Sequence, residues 1–177
     1  MSTVLVVFAT KNGSTREVAE VIANRLRETG ADVVLEPARA CRDSVAERDL
    51  VVLGAPLYSG RWHRDAHRFL RRHRRDLHDV PITIFGMGPR NATDDAWERS
   101  RTQLDRAIAK HEWLGPDLVN VFGGVDPPKR TTKPRRDLRD WNMIDAWATK
   151  VGELLTSDAP LSERRNRITD PRSTTRD

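Results

Sequence analysis

Five short apolar runs, at residues 3–8, 32–35, 50–53, 82–85 and 118–122, alternate along this 177-residue chain with stretches whose apolar residues recur at helical spacing. Each run is rich in Val, Leu, Ile and Phe and apolar nearly throughout, as strands covered on both faces must be. Between them, Val18, Ile22 and Leu26 mark one helix face. Trp62, Ala66, Phe69, Leu70, His73 and Leu77 mark a second, and Trp97, Ser100, Leu104, Ala107 and Ile108 a third. Trp141, Ile144, Trp147, Ala148, Val151, Leu154 and Leu155 mark the last. Strands alternating with helices through right-handed crossovers imply an α/β fold with an open, doubly wound, five-stranded parallel sheet. Residues 37–48 are expected to carry a short helix beginning near Arg42 or Asp43. The periodicity stops after Leu155, which predicts one domain over residues 1–156 and a disordered basic tail over 157–177.

In such sheets a ligand lies beyond the carboxyl ends of the strands, where the strand order reverses. The loops that follow the first, third and fourth strands therefore matter most. The first strand runs straight into Thr10, Lys11, Asn12, Gly13, Ser14 and Thr15 and then a helix. Backbone N–H groups at a helix start, with the hydroxyls of Thr10, Ser14 and Thr15 beside them, suit a bound phosphate. The same residues also cap helices with no ligand present. The third strand is followed by Gly54, Ala55, Pro56, Leu57, Tyr58, Ser59, Gly60, Arg61, Trp62 and His63. The fourth leads into Gly86, Met87, Gly88, Pro89, Arg90 and Asn91. A phosphate cradle, an aromatic loop with glycines and a second glycine-rich loop together describe a site for a mononucleotide with a flat ring.

Other chemistries on the same sheet lack their residues. A phosphoacceptor receiver needs an acidic pair after the first strand, where this chain has Phe8, Ala9 and Thr10. There is no Gly-x-Gly-x-x-Gly, no Gly-Lys-Ser/Thr and no Gly-x-Ser-x-Gly, and the five histidines show no metal spacing. The lone Cys41 excludes an intramolecular disulfide and reads as an inert thiol. With no signal-like or membrane-spanning run, the expected location is the cytoplasm. The formal charge of +5 comes from 31 Lys and Arg, mostly arginine, against 26 acids. Residues 157–177 carry five arginines against four acids, so the excess sits on the folded part. Arg64, Arg68, Arg71, Arg72, Arg74 and Arg75 form a dense run that is either a solvated helix face or a contact for anionic membrane, nucleic acid or substrate carboxylates.

The loop Thr10 to Thr15, with Gly54, Ala55, Gly60, His63 and Phe69, resembles the flavodoxin family, and within it the small protoporphyrinogen IX dehydrogenases that pass electrons to a quinone such as menaquinone. The likeness covers residues 1–80 and again the strand ending in Gly123 and Gly124, and is looser over 91–116. It implies strand order 2-1-3-4-5 and FMN as cofactor, held by Thr10 to Thr15, by Pro56, Leu57, Tyr58, Ser59 and Gly60, and by Gly88, Pro89 and Arg90. Tyr58 is expected to cover the isoalloxazine ring, while Trp62 opens an apolar helical stripe and is expected in the core. Gly60 would let the backbone beside flavin N5 reorient. Arg90 would lie at the pyrimidine edge, where a cation stabilises negative charge on the reduced ring. His63 is a candidate proton relay whose alternative is a helix cap. The subfamily's aromatic and basic loop has its counterpart in residues 126–140, which hold Pro, Lys and Arg but no Tyr, so the substrate is left open.

The resemblance leaves two main readings. One is an FMN-dependent oxidoreductase that moves electrons from an organic substrate to a quinone or similar acceptor. The other is an electron-carrying flavodoxin that docks on protein partners. Carriers of this family are typically acidic, so the basic charge favours the enzyme. A third reading, a flavin-free basic module for nucleic acid or membrane, keeps the fold and leaves the three loops without a role.

Overall fold

In the computed structural model, which describes residues 1–128 and 132–156, strand β1 (Thr3–Phe8) pairs in parallel with β2 (Asp32–Pro37) on one side and β3 (Leu50–Tyr58) on the other. Strand β3 pairs next with β5 (Ile82–Gly88), and β5 with β6 (Leu118–Gly123), giving the order β2-β1-β3-β5-β6. The two-residue β4 (Arg61–Trp62) folds back antiparallel on the end of β3. Leaving aside that short return, the five parallel strands have the expected order 2-1-3-4-5.

Side chains that alternate along each strand build two cores, one on each face of the sheet. Val4, Val6 and Phe8 join Leu50, Val52, Phe85 and Phe122 on the face covered by α1 (Ser14–Glu28) and α4 (Trp141–Thr156). Leu5, Val7, Val51, Leu53 and Ile84 face the other way, against α2 (Arg64–Arg72) and α3 (Asp94–Ala109). The helix faces meet these cores at Val18, Ile22 and Leu26, at Ala66, Phe69 and Leu70, at Leu104 and Ala107, and at Ile144, Trp147 and Val151. Trp141 departs from its expected stripe: it is 42% exposed, with the Arg139 guanidinium 4.8 Å from its ring. The first three residues of α4 thus stand outside the core, which the helix enters at Ile144.

The strands run further than their apolar runs. Strand β3 continues through Gly54, Ala55 and Pro56 to Tyr58, and β5 through Gly86 to Gly88, although these residues read as loops. A Cβ on Gly54 would fall 1.9 Å from Phe85 Cζ, so this glycine makes room for a ring. Proline is tolerated at position 56 because β1 stops pairing at Gly54, so no β1 carbonyl is left waiting for the missing N–H.

The segment between β2 and β3 forms turns, and the short helix expected near Arg42 or Asp43 is absent. The Asp76 carboxylate accepts from Ser44 Oγ and Val45 N, and Arg72 Nη1 donates to the Cys41 carbonyl at 2.9 Å. These side-chain bonds satisfy backbone groups that a helix would otherwise pair. Helix α2 is correspondingly short, and Leu77 reaches the core from a 3₁₀ turn (Asp76–His78). Cys41 is buried, and burial, with Glu36 beside it, pushes its thiol up to about 12. The native protein is therefore expected to resist a disulfide-exchange reagent at pH 8 and to release one thiol equivalent only on unfolding. Rapid labelling of native protein would contradict this burial. The expected tail, 157–177, lies outside the described residues.

Candidate functional site

Helix α1 begins on Gly13, whose φ of 92° places it in the left-handed region that favours glycine. No side chain caps this helix start. Thr10 Oγ1 instead accepts from Gly13 N at 2.8 Å, which draws the loop into a tight turn and leaves the Thr10 hydroxyl proton free to donate. The first intrahelical bond runs from Glu17 N to Gly13 O, so the amides of Ser14, Thr15 and Arg16 precede the hydrogen-bonded ladder. Thr15 is fully buried, and its Oγ1 has no hydrogen-bond partner in the structure. A buried hydroxyl in that condition costs about 1–3 kcal/mol. A phosphate oxygen at the helix start would supply the missing partner, so these residues fit the phosphate end of FMN.

The loop is tied to the aromatic segment. Asn12 Nδ2 donates to Tyr58 Oη at 3.1 Å, and Lys11 Nζ lies 5.4 Å from the Tyr58 ring centroid. Tyr58 and Arg61 pair across a two-residue turn in which Ser59 and Gly60 have φ of 48° and 75°, the positive values of a type I′ hairpin. Ser59 is the only non-glycine with positive φ among the described residues, and the hairpin carries that strain at the mouth of the crevice. A Cβ on Gly60 would meet nothing nearer than Gln103 Nε2 at 3.6 Å, so conformation alone favours glycine here. Trp62, just beyond, is 3% exposed and donates from Nε1 to the Ala55 carbonyl at 3.1 Å, in the core as expected.

The other expected residues fall into different surroundings. Pro56 is buried in β3, and its carbonyl accepts from His63 N; Leu57 packs on the α2–α3 core. Gly88 is enclosed, since a Cβ there would lie 2.8 Å from Ser100 Cβ. Pro89 and Arg90 line a cavity with Asn91, Arg99, Gln103 and Arg136. Gln103 links that cavity to the Gly60 turn, and nothing in its sequence position signals this role. Thr10 and Lys11 line another cavity, with Arg16, Arg39 and Asp65. The structure thus brings the first loop and Tyr58 into direct contact, while Arg90 lines a cavity that Gln103 connects to the Gly60 turn.

His63 caps α2, its Nδ1 accepting from Asp65 N at 3.1 Å, and burial lowers its pKa despite the nearby Asp65. The cap occupies Nδ1, which leaves Nε2 as the ring atom available for a proton. Beyond β6, residues 132–140 fold back beside the crevice: Leu138 N donates to Gly124 O, and Arg139 pairs with both Asp137 and Glu17 of α1. This part of the counterpart loop, 126–140, is therefore anchored to α1, the helix that follows the first loop.

The buried histidines set an acid limit on stability. His67 is lowered to about 4, by burial first and then by His111, Lys110 and Arg71 around it, and His73 and His111 are also lowered. The unfolded chain, with histidines near 6.5, binds more protons below that value. This contribution is complete above about pH 6.5 and is lost as the pH falls toward 4. Urea midpoints are expected to drop between pH 7.5 and 5.0, and a His67→Gln chain to show a shallower drop; a flat profile would contradict the burial.

Comparison with known proteins agrees with this geometry. Residues 5–144 match the flavodoxin domain. Protoporphyrinogen IX dehydrogenase [quinone] of Escherichia coli K12 is 29% identical over 171 residues, covering 85% of this chain and 94% of that protein. Among solved structures, an archaeal flavodoxin superposes with a TM-score of 0.58 at 14% identity, over 88% of this chain and 99% of its own. Flavodoxin 1 of Bacillus cereus does so with 0.57 at 18% identity, over 89% and 99%. These structural likenesses establish the fold, and FMN is the cofactor commonly bound by proteins of this kind. With its domain match over residues 5–144 and its strand order, the chain belongs to the flavodoxin family.

Proposed function

We propose that this protein is an FMN-dependent oxidoreductase that takes reducing equivalents from an organic substrate, of the protoporphyrinogen type, and passes them to a quinone or similar acceptor. The observation that carries the cofactor assignment is the unpartnered Thr15 hydroxyl beneath an uncapped helix start. The near full-length relation to a quinone-dependent dehydrogenase supports the reaction class. The net charge of +5 argues against the carrier reading, because a basic carrier would repel basic docking partners.

Bound FMN would supply reversible uptake of electrons and protons between substrate and acceptor. The chain's residues supply the rest. Thr10, Ser14 and Thr15, with the amides of the first turn, would hold the phosphate through charge-assisted hydrogen bonds of roughly 1.5–3 kcal/mol each. Tyr58, hydrogen-bonded by Asn12 and with Lys11 beside its ring, would cover the flavin. The Ser59–Gly60 turn would offer main-chain groups to the cofactor, and the Arg90 guanidinium would favour negative charge on it. An Arg90→Ala holoprotein is accordingly expected to show a more negative midpoint potential; an unchanged potential would remove that role.

The test is turnover. FMN-loaded protein, given protoporphyrinogen IX under anaerobic conditions with a soluble menaquinone analogue, should produce fluorescent porphyrin at a rate that depends on both FMN and quinone. Yellow protein with no such turnover, yet able to reduce a protein acceptor, would replace the enzyme with the carrier.

A further inference from the structure

The six arginines of the α2 region do not share one face. Arg72 is committed to the Cys41 carbonyl, and Arg68 pairs with Asp65. Arg64, His67, Arg71 and Arg74 follow a 3-4-3 spacing that returns to one side of a helix. That side forms a groove of about 740 Å³ with Lys110, His111, Glu112 and Trp113, which follow α3.

The floor of this groove is built. His67 Nδ1 lies 2.9 Å from His111 Nε2, with the two rings stacked at 5.2 Å between centroids. Trp62 meets the His67 ring edge-on at 5.5 Å, and Trp113 meets His111 edge-on at 6.0 Å. The Arg74 guanidinium lies 5.9 Å from the Trp113 ring. Among the described residues, Arg71, Arg74 and Lys110 have no carboxylate within ion-pair distance, and Glu112 is the single acid on the wall. Three unpaired cations held around a packed aromatic floor are arranged for an anion with several oxygens, because guanidinium forks match phosphate oxygens in pairs. The volume falls within the usual range of small-ligand sites.

We infer that the groove between α2 and the segment after α3 is a second binding site, for a phosphate-bearing ligand, with Arg71, Arg74 and Lys110 holding the phosphate oxygens against the His67, His111 and Trp113 floor. This site lies apart from the phosphate loop of α1 and stands independently of the redox reading. A soluble diphosphate and the headgroup of an anionic phospholipid offer the same chemistry.

Two measurements on the full chain, saturated with FMN so that the phosphate loop of α1 is already filled, separate these sources. Sodium pyrophosphate is titrated calorimetrically at low ionic strength, and co-sedimentation is measured with phosphatidylglycerol and with phosphatidylcholine vesicles. Both are repeated with an Arg71→Ala, Arg74→Ala double variant; both side chains are exposed, so its melting temperature should match the parent. The expected result is saturable binding of one pyrophosphate per chain, weakened at least tenfold in the double variant. Capture by phosphatidylglycerol but not phosphatidylcholine, lost in the double variant, would assign the phosphate to a lipid headgroup and support the same site. Absence of binding in both assays, or binding that the double variant retains, would overturn the inference, since retained binding belongs elsewhere on the surface.

Discussion

A Gly54→Ala chain is expected to lose about 3 kcal/mol of stability, the upper part of the usual cost of overpacking a core. The added methyl carbon would fall 1.9 Å from Phe85 Cζ and 2.3 Å from Cε1. The ring has nowhere to go: Phe85 is fully buried, with Phe122 at 5.5 Å and Trp147 at 5.9 Å between centroids. Either β3 moves away from β5 or the aromatic trio repacks. At roughly 2–4 °C per kcal/mol for a chain of this size, the melting temperature should fall by about 6–12 °C. Adding Phe85→Leu should recover part of that loss, because the two changes share one space and therefore do not add. Two independent, additive losses would show that the clash is relieved elsewhere. Since β3 ends in Tyr58, the variant should also bind flavin less tightly.

The second large effect has opposite signs in the two states of the protein. Thr15→Val keeps the shape of the side chain and removes a buried hydroxyl that has no partner. Without ligand, the variant should be more stable by about 1 kcal/mol, because an unsatisfied polar group has been taken out of the interior. With FMN, the same change deletes a charge-assisted hydrogen bond to phosphate of roughly 1.5–3 kcal/mol, which weakens binding about 10- to 150-fold. A residue that merely packs or caps the helix would not give this pair of results. Thermal melts of both chains, with and without FMN, read both signs in one experiment; a destabilised ligand-free variant with unchanged FMN affinity would assign Thr15 to packing.

Much of this architecture was legible because burial on both faces leaves a coarse mark. Strands β1, β5 and β6 appear as apolar runs, and Val18, Ile22 and Leu26 show which side of α1 is inward. The ends of the strands were not legible. Gly54, Pro56, Gly86 and Gly88 read as punctuation, and what holds them in strands is tertiary: a phenylalanine ring over one glycine, Ser100 over another, and the end of β1 pairing beside the proline. Local residues cannot announce such neighbours.

The candidate site divides in the same way. The first loop was readable as a turn into a helix because its residue types carry their own chemistry, whereas the Asn12–Tyr58 hydrogen bond joins positions 46 residues apart. The arginine run suggested one continuous basic face, but Arg72 turned inward to serve a carbonyl in the β2–β3 connection. His63 showed the converse. Its place at the opening of a helix already offered the cap that the structure forms.

The most direct measurement is a titration of the flavin-free chain with FMN, followed by flavin fluorescence and calorimetry. One FMN should bind per chain with a dissociation constant below about 1 μM, its emission quenched beside Tyr58, and riboflavin, which lacks the phosphate, should bind at least tenfold more weakly. FMN and riboflavin binding with equal affinity, or neither binding at all, would contradict a phosphate cradle at the start of α1.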